Sequence, residues 1–215
     1  MKQLKTAVIV LGVMTLLLGL VYPLAVTGIA QLLFPFRANG SIVGKSEGRS
    51  SNDEVPAGSA LIGQSFSSAR YFHGRPSDCG YDGAGSSSSN LGPSNPALFD
   101  SVRSRVERLR GEFGAVEMDS TLDTGRASLP PDLVLSSASG LDPDISPEAA
   151  LLQVNAVARA RGLDTAAVRA LLTRSIQPPF LGIFSVSSVN VLRLNLALDS
   201  MSAANDERGT MNDGR

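Results

Sequence analysis

From Thr6 to Phe36 no residue carries a formal charge, and Leu, Val, Ile, Ala and Gly dominate, with Thr6, Thr15, Tyr22, Thr27 and Gln31 as the polar interruptions. A helix crossing a hydrocarbon core needs roughly 20 such residues. Lipid offers no partner to backbone N–H and C=O groups, so one continuous helix is the structure this stretch demands. Lys2 and Lys5 give it the basic head of a secretory signal. The apolar run, however, far exceeds the about 7–15 residues of a signal core, and no A-x-A site precedes Phe34-Pro35-Phe36. The stretch therefore reads as a retained transmembrane helix over residues 6–36 behind a short cytoplasmic head, 1–5. Pro23 lacks a donor and crowds the carbonyl four residues back, which predicts a kink. Gly12 and Gly19 leave room for a neighbouring helix, at a spacing that differs from the four-residue small-residue motif.

Flanking charge is nearly balanced, with Lys2 and Lys5 on one side and Arg37, Lys45 and Arg49 on the other. The short basic head favours the amino terminus inside and the remainder outside. Of 19 Lys and Arg, two precede the span, so 17 stand against 20 Asp and Glu beyond it, a net of −3. That balance argues against a nucleic-acid surface. Cys79 is the single cysteine, which excludes an internal disulfide, and His73 is the single histidine, which leaves no histidine-rich zinc set. The residues after the span suffice for one modest domain with a core.

Residues 37–58 read as a flexible exit from the membrane, rich in Gly and polar residues. Gly40-Ser41-Ile42-Val43-Gly44-Lys45-Ser46 looks like a phosphate loop, but only three residues separate its glycines and neither a soluble strand before it nor a helix after it is indicated. Lys45 is therefore not expected to hold phosphate. The domain proper spans 59–200. Its stretch 80–96 is nearly all Gly, Ser, Asn and Pro, a composition of disorder, yet it lies between Tyr71-Phe72 and a well-signalled helix, which favours a packed loop. In that helix Asn95 is the cap, Pro96 opens the first turn, and Leu98, Val102, Val106, Leu109 and Phe113 recur at helical spacing, with Gly111 or Gly114 as the stop. Leu129–Leu135 reads as a short strand or turn of helix. Ser146 and Asp164 cap two further helices, closed by Gly162 and by Pro178-Pro179. Val189–Leu198 alternates as a half-buried strand, with a strand turning helical near Asn195 as the alternative, and residues 201–215 read as a flexible tail. The fold class is α+β: one amino-terminal transmembrane helix and one extracytoplasmic domain of mixed helix and strand.

No enzyme site emerges. Cys79 and His73 form a conceivable nucleophile pair without an orienting group. Asp142 and Asp144 are explained by entry into the helix that follows, ahead of metal or acid–base work. Arg70, His73 and Arg75 suit an anion or a partner carboxylate, against the simpler role of pinning loops. The class is a membrane-anchored accessory protein; a membrane-tethered extracytoplasmic hydrolase or ligand-binding protein is the alternative.

Several long motifs carry a resemblance over almost the whole chain: Val21-Tyr22-Pro23-Leu24, Phe34-Pro35-Phe36-Arg37-Ala38-Asn39-Gly40-Ser41, Tyr71-Phe72-His73-Gly74-Arg75-Pro76-Ser77, Ser89-Asn90-Leu91-Gly92-Pro93-Ser94-Asn95-Pro96, Ser139-Gly140-Leu141-Asp142-Pro143 and Val189-Asn190-Val191-Leu192. In this order they resemble the KdpC subunit family of the bacterial potassium-transporting Kdp ATPase. The resemblance implies a non-catalytic, single-pass subunit of a high-affinity K⁺ pump in the bacterial cytoplasmic (inner) membrane. Its implied partners are a channel-like subunit, a P-type ATPase subunit and a very small single-helix subunit. It implies K⁺ as the transported ion, assigns this chain no cofactor of its own, and leaves open that ATP is met through the complex. The implied role is assembly, with modulation of a partner's ATP or K⁺ affinity also proposed for the family. Two departures stand out: Asp144 occupies a position usually histidine, and 182–188 lacks the usual Gly-Glu-Pro before Val189. The expected docking segment is the loop from Tyr71 to Asn95, with Tyr71, Phe72, His73, Arg75, Asn90 and Asn95 as its candidates. The competing assignment puts Tyr71 and Phe72 in the domain's own core.

Overall fold

The computed structural model describes residues 1–46, 54–113, 129–179, 181–182 and 185–212. The chain divides into two compact units, Met1–Ile42 and Val43–Arg215.

In the first unit, α1 (Lys2–Leu16), a π-helical turn (Leu17–Val21) and α2 (Tyr22–Leu33) run on as one helix. Over Lys2–Leu33 it is long and apolar enough to cross a membrane, and none of it is buried within the chain. The π turn ends just before Pro23, where the Tyr22 amide bonds to Leu17 O, five residues back. A proline ring crowds the carbonyl four residues before it, and the wider turn is how this helix accommodates it. After α2 the short α3 (Pro35–Ala38) leads into a closed turn. Gln31 and Asn39 exchange amide hydrogen bonds of 3.2 and 3.1 Å, Asn39 also donates to Pro35 O at 2.8 Å, and Gly40 takes a φ of 81°. The exit expected to be flexible thus begins as a hydrogen-bonded turn. It continues as a two-stranded sheet of β1 (Ile42–Ser46) and β2 (Glu54–Ser59). Lys45 lies in β1, and among the described residues the next element is the strand β2 and not the helix that a phosphate loop requires.

In the second unit the expected caps form. Asn95 Oδ1 accepts from the Ala97 amide at the start of α4 (Pro96–Phe113). Gly111 lies inside that helix, and Gly114 is outside the described residues. Leu129–Leu135 resolves into one helical turn, α5 (Pro131–Val134). The Ser146 side chain accepts from Ala149 at the start of α6 (Pro147–Arg161), which Gly162 closes at φ 66°. The Asp164 side chain accepts from Ala166 at the start of α7 (Thr165–Ser175). A three-stranded antiparallel sheet in the order β3-β5-β4 joins Asp144–Ile145, Ser188–Asn190 and Ile176–Gln177. Val189, paired with Ile145 on one side and Ile176 on the other, is fully buried at its centre.

The last element corrects the expected strand. β5 stops at Asn190, whose Oδ1 accepts from the Arg193 amide at 3.1 Å and so caps α8 (Val191–Asn212). Alternating leucines and helical spacing coexist here, because Val191, Leu194, Asn195 and Leu198 also recur at three and four residues. These four are buried together with Leu192, while Leu196 is only partly buried, and the helical period prevails over the alternation. Residues 201–212 also depart from the expected tail: α8 runs to Asn212, Met201 packs against the core, and Ser202 accepts from Arg161 at 3.1 Å.

The core joins buried faces of α6, α7 and α8 to β5 and to Phe72 from the preceding loop. Burying a phenylalanine contributes roughly 1.5–3 kcal/mol. Its backbone follows it inside, where Asn195 serves both polar groups: the Phe72 amide donates to Oδ1 and Nδ2 donates to Phe72 O, each at 2.9 Å. Asn195→Ala leaves both without a partner. At roughly 1–3 kcal/mol for each buried unsatisfied group, the expected loss is on the order of 3 kcal/mol. Equilibrium unfolding of the detergent-solubilised chain reads this directly, and an unchanged midpoint rules the clamp out as a main support.

Candidate docking surface

The loop after Phe72 is pinned residue by residue. The His73 amide donates to Gln153 Oε1 at 2.7 Å and Gln153 Nε2 donates to His73 O at 3.1 Å, so a second buried amide on α6 repeats what Asn195 does from α8. Arg75 meets Asp142 at 3.0 Å. Tyr81 Oη donates to Arg75 O, and the Ser137 amide donates to Pro76 O at 3.0 Å. Ser77 Oγ donates to Gly140 O at 2.7 Å and accepts from the Tyr81 amide at 2.9 Å. The Ser89 amide donates to Asp78 Oδ2 at 3.1 Å, and Ser86 Oγ to Ser139 O at 2.9 Å. The closeness has a steric condition. Gly140 sits at φ 68°, and a Cβ there would stand 2.7 Å from Ser87 O and closer still to Cys79 Sγ. The loop is ordered without regular secondary structure.

The six docking candidates take different places. Phe72 is fully buried, so its side chain is a core residue and offers nothing to a partner; the competing core assignment holds for it. Tyr71 is half-buried: its ring lies 4.7 Å beneath the Arg161 guanidinium and 5.5 Å from the Phe66 ring, and its hydroxyl donates to Asp199 at 3.2 Å. Arg161, with 2% of its side chain exposed, also pairs with Asp199 at 2.8 Å. Arg75 is committed to Asp142, and Asn95 to capping α4. His73 is partly exposed, with Nε2 3.2 Å from Ser68 O and Nδ1 4.0 Å from Glu112. Asn90 is exposed at the outer edge of the loop in a left-handed conformation, φ 52°, donating to Ser88 O at 3.0 Å.

The chemical alternatives are likewise absorbed into structure. Asp142 holds Arg75 and accepts from the Asp144 amide. Asp144, the departure from histidine, accepts from Asn190 Nδ2 at 3.0 Å and from Ser188 at 3.4 Å, tying β3 to β5. The Asn190 amide also reaches Ala60 O at 2.9 Å. Cys79 has Ser77 Oγ at 3.4 Å, and that hydroxyl, aided by the backbone amides of Ser87, Tyr81 and Asp82 and opposed by burial, holds the thiol below its ordinary value. Burial, and then the neighbouring Cys79, pushes the Tyr81 phenol up. Among the described residues no cluster of three or more His, Cys, Asp or Glu suits a metal ion.

A cleft of about 500 Å³ opens between α4 and the loop, with Ser65, Phe66, His73, Arg105, Arg108 and Glu112 among its walls. Arg105 is anchored there by Val134 O at 3.0 Å and Asp78 at 3.2 Å. Sequence reading missed Gln153, Asn195, Arg161 and this cleft. The available signal was polar: Gln153 and Asn195 stand on otherwise apolar helix faces, beside Ala149, Ala150 and Val154 in one and Val191, Leu194 and Leu198 in the other.

Comparison with known proteins places these features in a family. The family model described as KdpC: K+-transporting ATPase, c chain, matches residues 4–200. The chain is 47% identical over 206 residues to a potassium-transporting ATPase KdpC subunit of Polaromonas naphthalenivorans, covering 94% of this chain and 96% of that protein. It is 45% identical over 214 residues to one from Rhodopseudomonas palustris, with 93% and 98% covered. The likeness to one from Geobacter sulfurreducens is 46% over 205 residues, with 94% and 99% covered.

The Asp78 contact between loop and α4 gives a pH signature. A hydrogen bond from Ser136, partly offset by burial and supported by the Ser89 amide and Arg105, holds Asp78 below its ordinary value of 3.8. Because the folded-state value is the lower one, the ionised carboxylate contributes stability in full above about 3.8 and loses it as pH falls through the lowered value. Asp78→Asn should therefore lower the unfolding temperature at pH 7, and the gap from wild type should shrink below about pH 3.8. A gap that is constant across this range shows that ionisation of Asp78 contributes nothing.

Proposed function

The chain belongs to the KdpC family, the c chain of K⁺-transporting ATPases, and from that premise we propose that it is a non-catalytic subunit of a K⁺ uptake complex, stabilising the assembly from outside the cytoplasm. The observation that carries this is the family match over residues 4–200. A second supports it: the residues that suggested chemistry are spent on structure, Asp142 on Arg75, Asp144 on Asn190 and Cys79 on the Ser77–Gly140 crossing. The helix Lys2–Leu33 anchors the chain in the inner membrane with its amino terminus in the cytoplasm, and the domain lies outside. An outward domain meets no cytosolic ATP, so nucleotide is handled by the ATPase subunit, and K⁺ passes through the channel-like subunit.

Docking falls to the outer side of the ordered loop, where Asn90 is exposed while the inner side is tied to α6 and α8. A preformed loop loses little conformational freedom on binding, which favours affinity. Asn90→Gly keeps a residue suited to the left-handed backbone and removes the side chain. The expected result is a chain that unfolds near the wild-type temperature, with about tenfold weaker retention of the partner subunits and poorer growth when K⁺ is scarce. Wild-type retention refutes this docking edge.

Topology is checked separately by reporter fusions at Ser50 and Met201 in intact cells. Both should signal outside the cytoplasm, and the mature chain should keep its full length. A cytoplasmic signal from the Ser50 fusion reverses the orientation.

A further inference from the structure

We propose that the turn leaving the span, residues 34–42, is a phospholipid-binding anchor: Phe34 and Phe36 enter the edge of the hydrocarbon, and the Arg37 guanidinium binds a lipid phosphate. This rests on the membrane-span reading above and says how the span is fixed at its carboxyl end. Arg37 is the only charged residue between Lys5 and Lys45, and no Asp or Glu precedes Glu47. The unit Met1–Ile42 therefore contains no acid to pair with it. The side chain is exposed and has no hydrogen-bond or ion-pair partner among the described residues. A guanidinium presents donors in a planar fork that binds a phosphate with two parallel hydrogen bonds. Helix length brings it to such a group. From Lys5 to Leu33 the helix rises about 42 Å, and a bilayer with its polar headgroups is about 40–45 Å thick. A tilt of about 20° shortens that reach by only about 3 Å. With Lys5 among the headgroups of one face, the turn after Leu33 stands among those of the other.

The turn is built for a place with little water. Lipid offers the backbone no partners, so a segment entering it must bond its own polar groups. The amides of Phe34, Ala38, Asn39, Gly40 and Ser41 all donate to carbonyls within residues 30–37, and Pro35 has no amide to satisfy. The side-chain amides are closed as well, because Gln31 and Asn39 bond to each other and Asn39 also donates to Pro35 O. Such an exchange is stronger at low dielectric than in water, where each amide would be solvated instead. Of the large apolar side chains, Phe34, Phe36 and Ile42 stay 55%, 49% and 50% exposed. Phenylalanine and aliphatic groups beside a long basic side chain are the composition of a segment lying in the membrane interface. The Arg37 stem can lie along these apolar groups while its head stays level with the phosphates. Charge and apolar exposure thus point to one occupant, the phospholipid boundary.

The chain has no tryptophan, so single substitutions report depth. Full-length Phe36→Trp and Leu16→Trp chains are placed in phosphatidylcholine–phosphatidylglycerol vesicles whose acyl chains are brominated either near the glycerol or near the chain ends. Phe36→Trp fluorescence should be quenched at least twofold more strongly by the bromines near the glycerol, and Leu16→Trp by those near the chain ends. In the Phe36→Trp chain, adding Arg37→Glu should at least halve the near-glycerol quenching, while adding Arg37→Lys should keep most of it. Quenching of Phe36→Trp by aqueous iodide alone, with Leu16→Trp still quenched by the deep bromines, overturns the anchor and leaves the span standing. If Leu16→Trp also responds to iodide alone, the span reading fails with it. Near-glycerol quenching unchanged by Arg37→Glu overturns the phosphate contact. The Phe36→Trp chain is then read in the complex co-purified with the remaining subunits and returned to the same vesicles. Near-glycerol quenching that persists there supports lipid as the occupant, and quenching lost on assembly overturns lipid in favour of a partner subunit.

Discussion

Everything in the second unit depends on two buried side-chain amides holding an extended segment against helices that have no backbone hydrogen bonds to spare. Phe72 drives its side chain into the core, and its peptide groups must then be satisfied away from water. A helix cannot do that with its own backbone, since its amides and carbonyls are already engaged. Asn195 and Gln153 each present one donor and one acceptor, which is what one residue of a neighbouring strand would offer. Consecutive residues of the loop are thus clamped by two different helices, which draws α6 and α8 together around Phe72.

From that clamp outward, small residues make the rest of the loop possible. The Ser77, Ser86 and Ser137 contacts carry the chain past the segment 137–140 at hydrogen-bonding distance, and Gly140 permits it because a side chain there would meet Ser87 and Cys79. Gly63 does the same on another side: its amide donates to Leu141 O at 2.8 Å, and an added Cβ would lie 2.5 Å from Asp142 O. A composition that resembles disorder is therefore compatible with order when hydroxyls and bare backbone replace the ladder of a sheet. Arg161 closes the same loop from its amino-terminal end, covering Tyr71 and pairing with Asp199.

What was legible follows from range. Signals contained in one continuous stretch were readable: the caps at Asn95, Ser146 and Asp164, the close at Gly162 and the charge-free span. Two readings failed because a local pattern was ambiguous. The leucines at 192, 194, 196 and 198 fit a strand, and only Asn190 capping Arg193 breaks the tie. The turn and strands at the described residues 37–46 and 54–58 were not signalled, because the Gln31–Asn39 exchange pairs residues eight apart and strand β1 needs β2 to exist. Of the docking candidates, sequence did not reveal which face inward and which outward. Tyr71 and Phe72 looked like anchors for a partner, whereas Arg161, ninety residues on, and Asn195, further still, claim them first.

That sidedness separates buried groups from exposed ones. Inward groups, Phe72, Asn195 and Gln153, are buried, and changing them is felt as unfolding. Asn90, by contrast, is exposed, with its side-chain amide donating to Ser88 O, so changing it is expected to leave folding nearly unaffected. Arg75 sits between the two classes, because Asp142 at 3.0 Å restrains it while about a quarter of its side chain, 26%, stays exposed and its buried Nε has no partner. Removing the guanidinium would strand the Asp142 carboxylate and disturb the 139–142 crossing at the same time. Loss of assembly in an Arg75 variant would therefore be read first as a local structural defect. A clean separation of binding from folding comes only from side chains that the domain itself does not use.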